Sequence, residues 1–104
     1  MIIQGQNEPI IVELTQTISP TKLHALLYDR SGKKLKHWEL ADVTINENMV
    51  ILPISESESV QWPACKANFE MKWLNTDGII DFVPVQHIDI EARQDRDLLT
   101  GGGV

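Results

Sequence analysis

The segment spanning residues 67–85 places the strongest constraint on how this chain can fold. Its first half alternates apolar and polar side chains, in the order Phe69, Glu70, Met71, Lys72, Trp73. Alternation with period two indicates a β-strand with one buried and one solvated face. The Asn-Thr-Asp-Gly stretch at residues 75–78 predicts a turn, because Asn and Asp side chains bond to nearby backbone and glycine accepts a positive φ. A second strand returning through Ile80 and Phe82 makes this the strongest hairpin signal in the sequence.

Similar alternation predicts further strands along the chain. Residues 9–15 form a first strand, residues 23–28 a central strand that is apolar on both faces, and residues 33–38 its return strand after an Asp-Arg-Ser-Gly turn. Residues 41–53 predict a second, short hairpin. The predicted fold class is therefore all-β, a small antiparallel β-sandwich of about seven strands.

Two local signals interrupt this pattern. The spacing of Ser55 and Glu58 matches a capping box and predicts one helical turn at residues 56–59, docked by Val60 and Trp62. The apolar phase shifts after Pro84, which lacks the N–H that a central ladder requires. We therefore expect either a β-bulge there or a strand that leaves one sheet for another, followed by a final strand over residues 86–92.

The ends of the chain predict the domain boundaries. Residues 1–8 offer little to bury and are expected to form a flexible N-terminal arm, and residues 9–92 form the β-sandwich domain. Residues 93–104 end in Gly-Gly-Gly-Val and are expected to form a flexible C-terminal tail, which a partner could order.

Charge and composition argue against several classes of function. The net charge of −6 disfavours binding to nucleic acid, where affinity comes mostly from basic residues that neutralise phosphates. No apolar run approaches the roughly 20 residues of a membrane span, and the start lacks a signal-peptide pattern, so we expect synthesis in the cytoplasm. The single cysteine, Cys65, excludes an internal disulfide and is interpreted as a small buried residue.

The sequence shows no catalytic constellation, and we expect neither enzymatic activity nor a cofactor. No Gly-x-Ser-x-Gly elbow is present, and Asn75-x-Asp77-Gly78 lacks the glutamate that would complete a calcium loop, because position 86 is Gln86. His24, His37 and His87 are isolated in sequence, so a metal site would require the fold to bring them together. No metal ligands are predicted.

Three tryptophans, Trp38, Trp62 and Trp73, allow two interpretations. Core packing is the first, with Trp38 as the most exposed of the three. A stacking platform for a sugar is the second, because amphipathic rings stack on the face of a hexose. The second interpretation gives the alternative function, a carbohydrate-binding module, and it requires exposed tryptophans.

Residues 41–90 resemble a known group of proteins. The span contains Val-Thr-Ile, a short turn, Val-Ile-Leu-Pro-Ile, a Ser/Glu-rich step, a Trp-Pro pair and then Phe-Glu-Met-Lys-Trp-Leu-Asn-Thr-Asp-Gly. It is similar to small structural proteins of tailed bacteriophages and prophages, in particular to the immunoglobulin-like N-terminal domain of phage baseplate upper proteins. Those sequences commonly have glycine after the proline, whereas here Pro63 is followed by Ala64 and Cys65.

The resemblance implies an immunoglobulin-like sandwich and a role in assembly. The chain would be a tail or baseplate component of a virion, made in the cytoplasm of the bacterial host, and its partners would be copies of itself and neighbouring phage proteins. Nucleic acid, membranes and small-molecule substrates are not expected as partners. The predicted interface residues are Lys33, Lys36, Trp38, Trp62, Asp97, Leu98, Leu99 and Thr100.

Overall fold

The computed structural model describes residues 1–95 and 97–99, which form two β-sheets packed face to face. The strands are β1 (Ile2–Ile3), β2 (Ile10–Glu13), β3 (Pro20–Tyr28), β4 (Lys34–Glu39), β5 (Thr44–Asn46), β6 (Met49–Leu52), β7 (Cys65–Asn75) and β8 (Ile80–Glu91). A 3-10 helix, Leu40–Asp42, precedes β5, and a short helix α1, Glu56–Ser59, follows β6. The five-stranded sheet has the order β1-β8-β7-β3-β4, and the three-stranded sheet has the order β2-β6-β5. The predicted all-β sandwich with a short helical turn is confirmed.

The predicted hairpin of residues 67–85 is confirmed as β7–β8, and β7 is the central strand of the larger sheet. Phe69, Met71 and Trp73 are buried, and β7 pairs with both β3 and β8. Gly78 has φ +86° at the turn, a conformation that side chains with a Cβ resist. The Asp77 carboxylate also accepts a hydrogen bond of 3.0 Å from the Ile79 N–H, which closes the turn locally.

The core lies between the two sheets and contains all three tryptophans. Trp38 is fully buried, and its ring makes an edge-to-face contact with Phe69 at a centroid distance of 6.3 Å. Its indole N–H donates to the Pro53 carbonyl at 2.8 Å, which joins the edge of the larger sheet to the segment after β6. Val50 and Leu52 on β6 are fully buried and complete the core from the opposite sheet.

The predicted irregularity at Pro84 is confirmed, but β8 continues through it. Phe69 pairs with Gln86 whereas Met71 pairs with Val83, so β8 contains one residue more than β7 across this step. A bulge of this kind reverses the face to which later side chains point. The expected separate final strand over residues 86–92 is therefore wrong, because residues 80–91 form one bulged strand.

The predicted flexible arm at residues 1–8 is corrected at its start. Ile2 and Ile3 form a strand that pairs in parallel with Ile90 and Glu91. Ile2 is 2% exposed. The buried Gln4 donates to the Trp62 carbonyl at 2.6 Å and accepts from the Arg93 N–H at 3.1 Å. The sequence pattern missed this strand because two apolar residues are too few to show alternation.

The helical turn predicted from the capping box is confirmed. The Ser55 hydroxyl accepts from the Glu58 N–H at 3.2 Å, and the Glu58 carboxylate accepts from the Ser55 N–H at 2.8 Å. These bonds satisfy backbone donors that the first helical turn leaves free. Glu58 also forms an ion pair of 2.9 Å with Lys36, which ties α1 to the edge strand β4.

The turn between β3 and β4 depends on the carboxylate of Asp29. Its Oδ1 atom accepts from the Ser31 hydroxyl at 2.7 Å and from the N–H groups of Ser31 and Lys33, both at 2.9 Å. The Ser31 hydroxyl and then the Lys33 N–H hold the pKa of Asp29 below its ordinary value of 3.8, because they stabilise the charged form.

We expect Asp29→Asn to remove a pH-dependent part of the stability. A lowered folded-state pKa contributes stability that is fully present above the ordinary pKa of 3.8 and is lost as the pH falls through the folded-state pKa. The difference in the free energy of unfolding between wild type and variant should therefore be largest near neutral pH and shrink below pH 3.8. Urea unfolding followed by circular dichroism from pH 7 to pH 2.5 measures it. A pH-independent difference would contradict this account of the turn.

The described part of the predicted C-terminal tail is hydrogen-bonded to the sandwich. The Arg93 N–H bonds to Gln4, and the Leu99 N–H donates to the Glu56 carboxylate at 2.8 Å. Among the described residues, no helix has the length and apolar character needed to cross a membrane.

Candidate functional site

The outer side of the five-stranded sheet, which we call the open face, is turned away from the three-stranded sheet. Strand pairing aligns four of its residues in one row across four strands, in the order Phe82, Lys72, His24, Glu39. All four are exposed. Directly opposite residues share a face of a sheet, so this row is set by backbone register rather than by side-chain rotamers.

One end of the open face carries an apolar patch formed by Leu74, Ile80 and Phe82. Ile80 is 60% exposed and lies directly opposite the partly buried Leu74. Phe82 is 71% exposed. A groove of about 250 Å³ runs from Leu74 and Ile80 to His24. The sequence placed Ile80 and Phe82 on the returning hairpin strand but did not predict that they would be exposed.

The other end of the open face carries a cluster formed by His24, His37 and Glu39. Glu39 lies directly opposite His24, and His37 pairs with Leu26, so the two histidines are diagonal neighbours on adjacent strands. Their ring centroids are 5.0 Å apart. One ring nitrogen from each histidine and one carboxylate oxygen of Glu39 all lie within 4.8 Å of one another.

His37 has an unusual environment for a polar side chain. Its Nε2 atom is buried and has no hydrogen-bond partner among the described residues. Leaving a buried polar atom unsatisfied costs about 1–3 kcal/mol. A ligand that reached this atom would remove that cost.

A register shift in β4 creates both the cluster and the burial of Trp38. Tyr28 pairs with Lys34, but Leu27 pairs with Lys36, so β4 contains one extra residue, Leu35. Without the shift, regular pairing outward from the turn would put Leu35 opposite Leu27 and Trp38 opposite His24 on the open face. The shift instead puts Trp38 in the core opposite Ala25. The expectation that Trp38 is the most exposed tryptophan is wrong, because Trp38 is buried in the core and Leu35 packs against the same core.

Of the predicted interface residues within the sandwich, the two lysines are accessible and the two tryptophans are buried. Lys33 is exposed beside the edge strand β4, and the half-buried Lys36 bonds to Glu58. Trp38 and Trp62 are buried and present no surface to a partner, so their prediction as interface residues is corrected. The lysines after the β3–β4 turn lie along an edge of the five-stranded sheet.

The predicted interface residues of the tail lie near α1. Leu99 is 93% exposed, Asp97 is exposed and Leu98 is half-buried. Thr100 lies outside the described residues.

The sugar-stacking hypothesis loses the residues that it required. Trp38, Trp62 and Trp73 are 0%, 5% and 6% exposed. The Trp73 indole N–H donates to the Asn75 side chain at 3.1 Å, and all three rings belong to the core. A tryptophan platform for carbohydrate is therefore absent from the described part of the chain, and core packing is the correct interpretation.

His87 and Cys65 lie apart from the cluster. His87 is exposed on β8 opposite Asn68, across the sheet from β4. Cys65 begins β7, is partly buried and has a free thiol. The fold brings together two of the three histidines, and it adds Glu39, which was not considered as a ligand in the sequence.

Comparisons with known proteins give a distant structural likeness. No family model matches the sequence, and no curated protein matches it. Among solved structures, the V domain of amphioxus IgVJ-C2 is similar, with 14% sequence identity, 85% of this chain and 95% of that chain covered, and a TM-score of 0.35.

Proposed function

We propose that this protein is a non-catalytic assembly module whose open face binds a second copy of the same chain. The apolar patch of Leu74, Ile80 and Phe82 is the observation that carries the proposal. Exposed apolar side chains that adjoin one another on a sheet face mark interaction surfaces more often than isolated ones do. Phe82, at 71% exposed, is the best candidate for the central anchor, because aromatic anchors contribute much of the energy of an interface.

The charges around the patch favour a second copy as the partner. Glu70 and Lys72 stand two residues apart on the open face of β7, next to the patch. A two-fold rotation brings the acid of one copy toward the base of the other, so a mixed pair of this kind is complementary to itself. A partner that is recognised through one sign of charge would require an open face whose charged side chains all have the opposite sign.

The strand edge of β8 favours contact through the face rather than through the edge. Among the described strands, β1 borders this edge, and it pairs with Ile90 and Glu91 at one end of β8. Pro84 and the bulge interrupt the rest of β8. Both features oppose edge-to-edge strand pairing between chains.

The finer proposal is that the module belongs to a phage or prophage virion, as a tail or baseplate component. The resemblance of residues 41–90 to baseplate upper proteins supports it. In this proposal the chain is made in the host cytoplasm and is incorporated during particle assembly, and further partners are neighbouring tail or baseplate proteins.

Phe82→Ser and Ile80→Ser should each weaken self-association by about tenfold or more. Burying a large apolar side chain contributes about 1.5–3 kcal/mol, and about 1.4 kcal/mol corresponds to a factor of ten. Sedimentation velocity over a range of concentrations, with EDTA present to remove metal ions, measures the dimer dissociation constant.

Ile11→Ser is the matched control, because Ile11 is 56% exposed on the three-stranded sheet. It should leave the dissociation constant unchanged. A second variant that ends after Ala92 tests the predicted tail interface. Loss of the dimer on truncation, with no effect of Phe82→Ser, would move the interface to the tail. A wild-type monomer at every concentration would contradict self-association.

A further inference from the structure

We propose that His24, His37 and Glu39 form a binding site for a divalent transition-metal ion, with Zn²⁺ as the best match. The three donor atoms lie within 4.8 Å of one another, and the buried Nε2 atom of His37 has no partner among the described residues. The first observation provides the geometry, and the second provides a polar atom that a ligand would satisfy. This site goes beyond the assembly function and does not depend on it.

The separation of the donors requires only small side-chain movements to admit a metal ion. In a tetrahedral zinc site with bonds of about 2.0–2.1 Å, neighbouring donors stand about 3.3 Å apart. The largest distance between donor atoms, at most 4.8 Å, therefore has to shorten by about 1.5 Å. His24 and Glu39 are exposed, so rotation of their side chains can supply most of this movement.

The backbone already holds the three residues in suitable positions. His24 and Glu39 are directly paired across β3 and β4, and His37 lies two residues before Glu39 on the same face. Sites built on paired strands are positioned more rigidly than sites on loops. The register shift at Leu35 is what puts both β4 ligands on the open face with His24.

The donor set selects the class of ion. Imidazole nitrogen suits Zn²⁺, Cu²⁺, Ni²⁺ and Fe²⁺, whereas Mg²⁺ and Ca²⁺ prefer oxygen donors alone. Two histidines and one glutamate also provide three protein ligands, the number that zinc sites with an open position use. The fourth coordination position of the ion would be taken by water or by a donor atom from a bound partner.

The charged side chains around the cluster are of both signs, with Lys22 and Lys72 on the basic side and Glu39 and Glu70 on the acidic side. Lys72 lies directly opposite His24 on β7 and opposes a bound cation. Glu39 is itself a ligand, and Glu70 lies two residues from Lys72 on the open face. The chain as a whole has a net charge of −6. Lys72→Ala should therefore strengthen metal binding, since it removes the basic side chain paired with His24.

The test uses the full chain without a histidine tag, in a Cys65→Ser background that removes the free thiol as a ligand. Zn²⁺ is titrated against a chromophoric chelator, and Co²⁺ is titrated separately because its visible absorption reports the coordination geometry. We expect one ion per chain. His24→Asn and Glu39→Gln should each weaken the affinity for Zn²⁺ by about tenfold or more, because each removes one of three ligands.

His87→Asn is the matched control, because His87 is an exposed histidine that lies away from the cluster. It should bind Zn²⁺ as the parent does. Circular dichroism of the apo variants verifies that they are folded, and Zn²⁺ should raise the melting temperature of the parent but not of His24→Asn. Equal affinity in the parent and in His24→Asn, or loss of binding in His87→Asn alone, would overturn the site. Absence of Zn²⁺ binding by the parent would overturn it as well.

Discussion

Replacing Trp38 with alanine is expected to lower the free energy of unfolding by about 3–5 kcal/mol, the range for large aromatic residues in a core. The side chain is fully buried, packs against Phe69, and donates its indole N–H to the Pro53 carbonyl at 2.8 Å. Alanine leaves a cavity and also removes the donor to a carbonyl group. Domains of this size have total stabilities of about 5–15 kcal/mol, so the variant should be close to unfolding. Urea unfolding followed by circular dichroism measures the loss.

Two further variants separate the causes of this loss. Trp38→Phe retains most of the apolar volume and removes the N–H donor, so it should cost less than alanine and should remain folded. Lys34→Ala changes an exposed residue on the same strand and should alter stability by no more than about 0.5 kcal/mol. A small effect of Trp38→Ala, equal to that of Lys34→Ala, would contradict the register shift that places Trp38 in the core.

The second large effect is expected at the N-terminal strand. Ile2→Ala should lower the free energy of unfolding by about 2–5 kcal/mol, because Ile2 is 2% exposed and contributes to the core beside β8. A residue in a flexible arm would contribute almost nothing. The same urea experiment therefore distinguishes a strand from an arm.

Ile11→Ala is the control for this prediction, because it makes the same chemical change in another strand. Ile11 is 56% exposed, so its replacement should cost at most about 1 kcal/mol, the span of β-propensity scales. Equal losses for the two variants would show that the burial of Ile2 contributes nothing to stability.

Features encoded by neighbouring residues were predictable from the sequence. The Asn-Thr-Asp-Gly turn, the alternation of β7 and the capping box at Ser55 each depend on side chains within a few positions of one another. Such features retain the same physical cause in any fold that contains them. The division into strands and the two-sheet architecture followed from them.

Features that depend on register between strands were not predictable. The register shift at Leu35 in β4 decides whether Trp38 or His37 faces the core. No local sequence pattern in that strand indicates the shift. The exposure of Ile80 and Phe82 and the burial of Ile2 also depend on pairing with distant strands. The candidate metal site was missed for the same reason, since His24 and Glu39 meet only through the pairing of β3 with β4.

The pairing of β1 with the end of β8 has a mechanical consequence. The two strands run in parallel, with Ile2 beside Ile90 and Gln4 bonded to both Glu91 and Arg93. Tension applied to the two ends of the domain pulls parallel neighbours in opposite directions along their length. Their hydrogen bonds are then loaded in shear, all at once, instead of being opened one after another. A domain joined in this way resists extension at the place where force would reach it first.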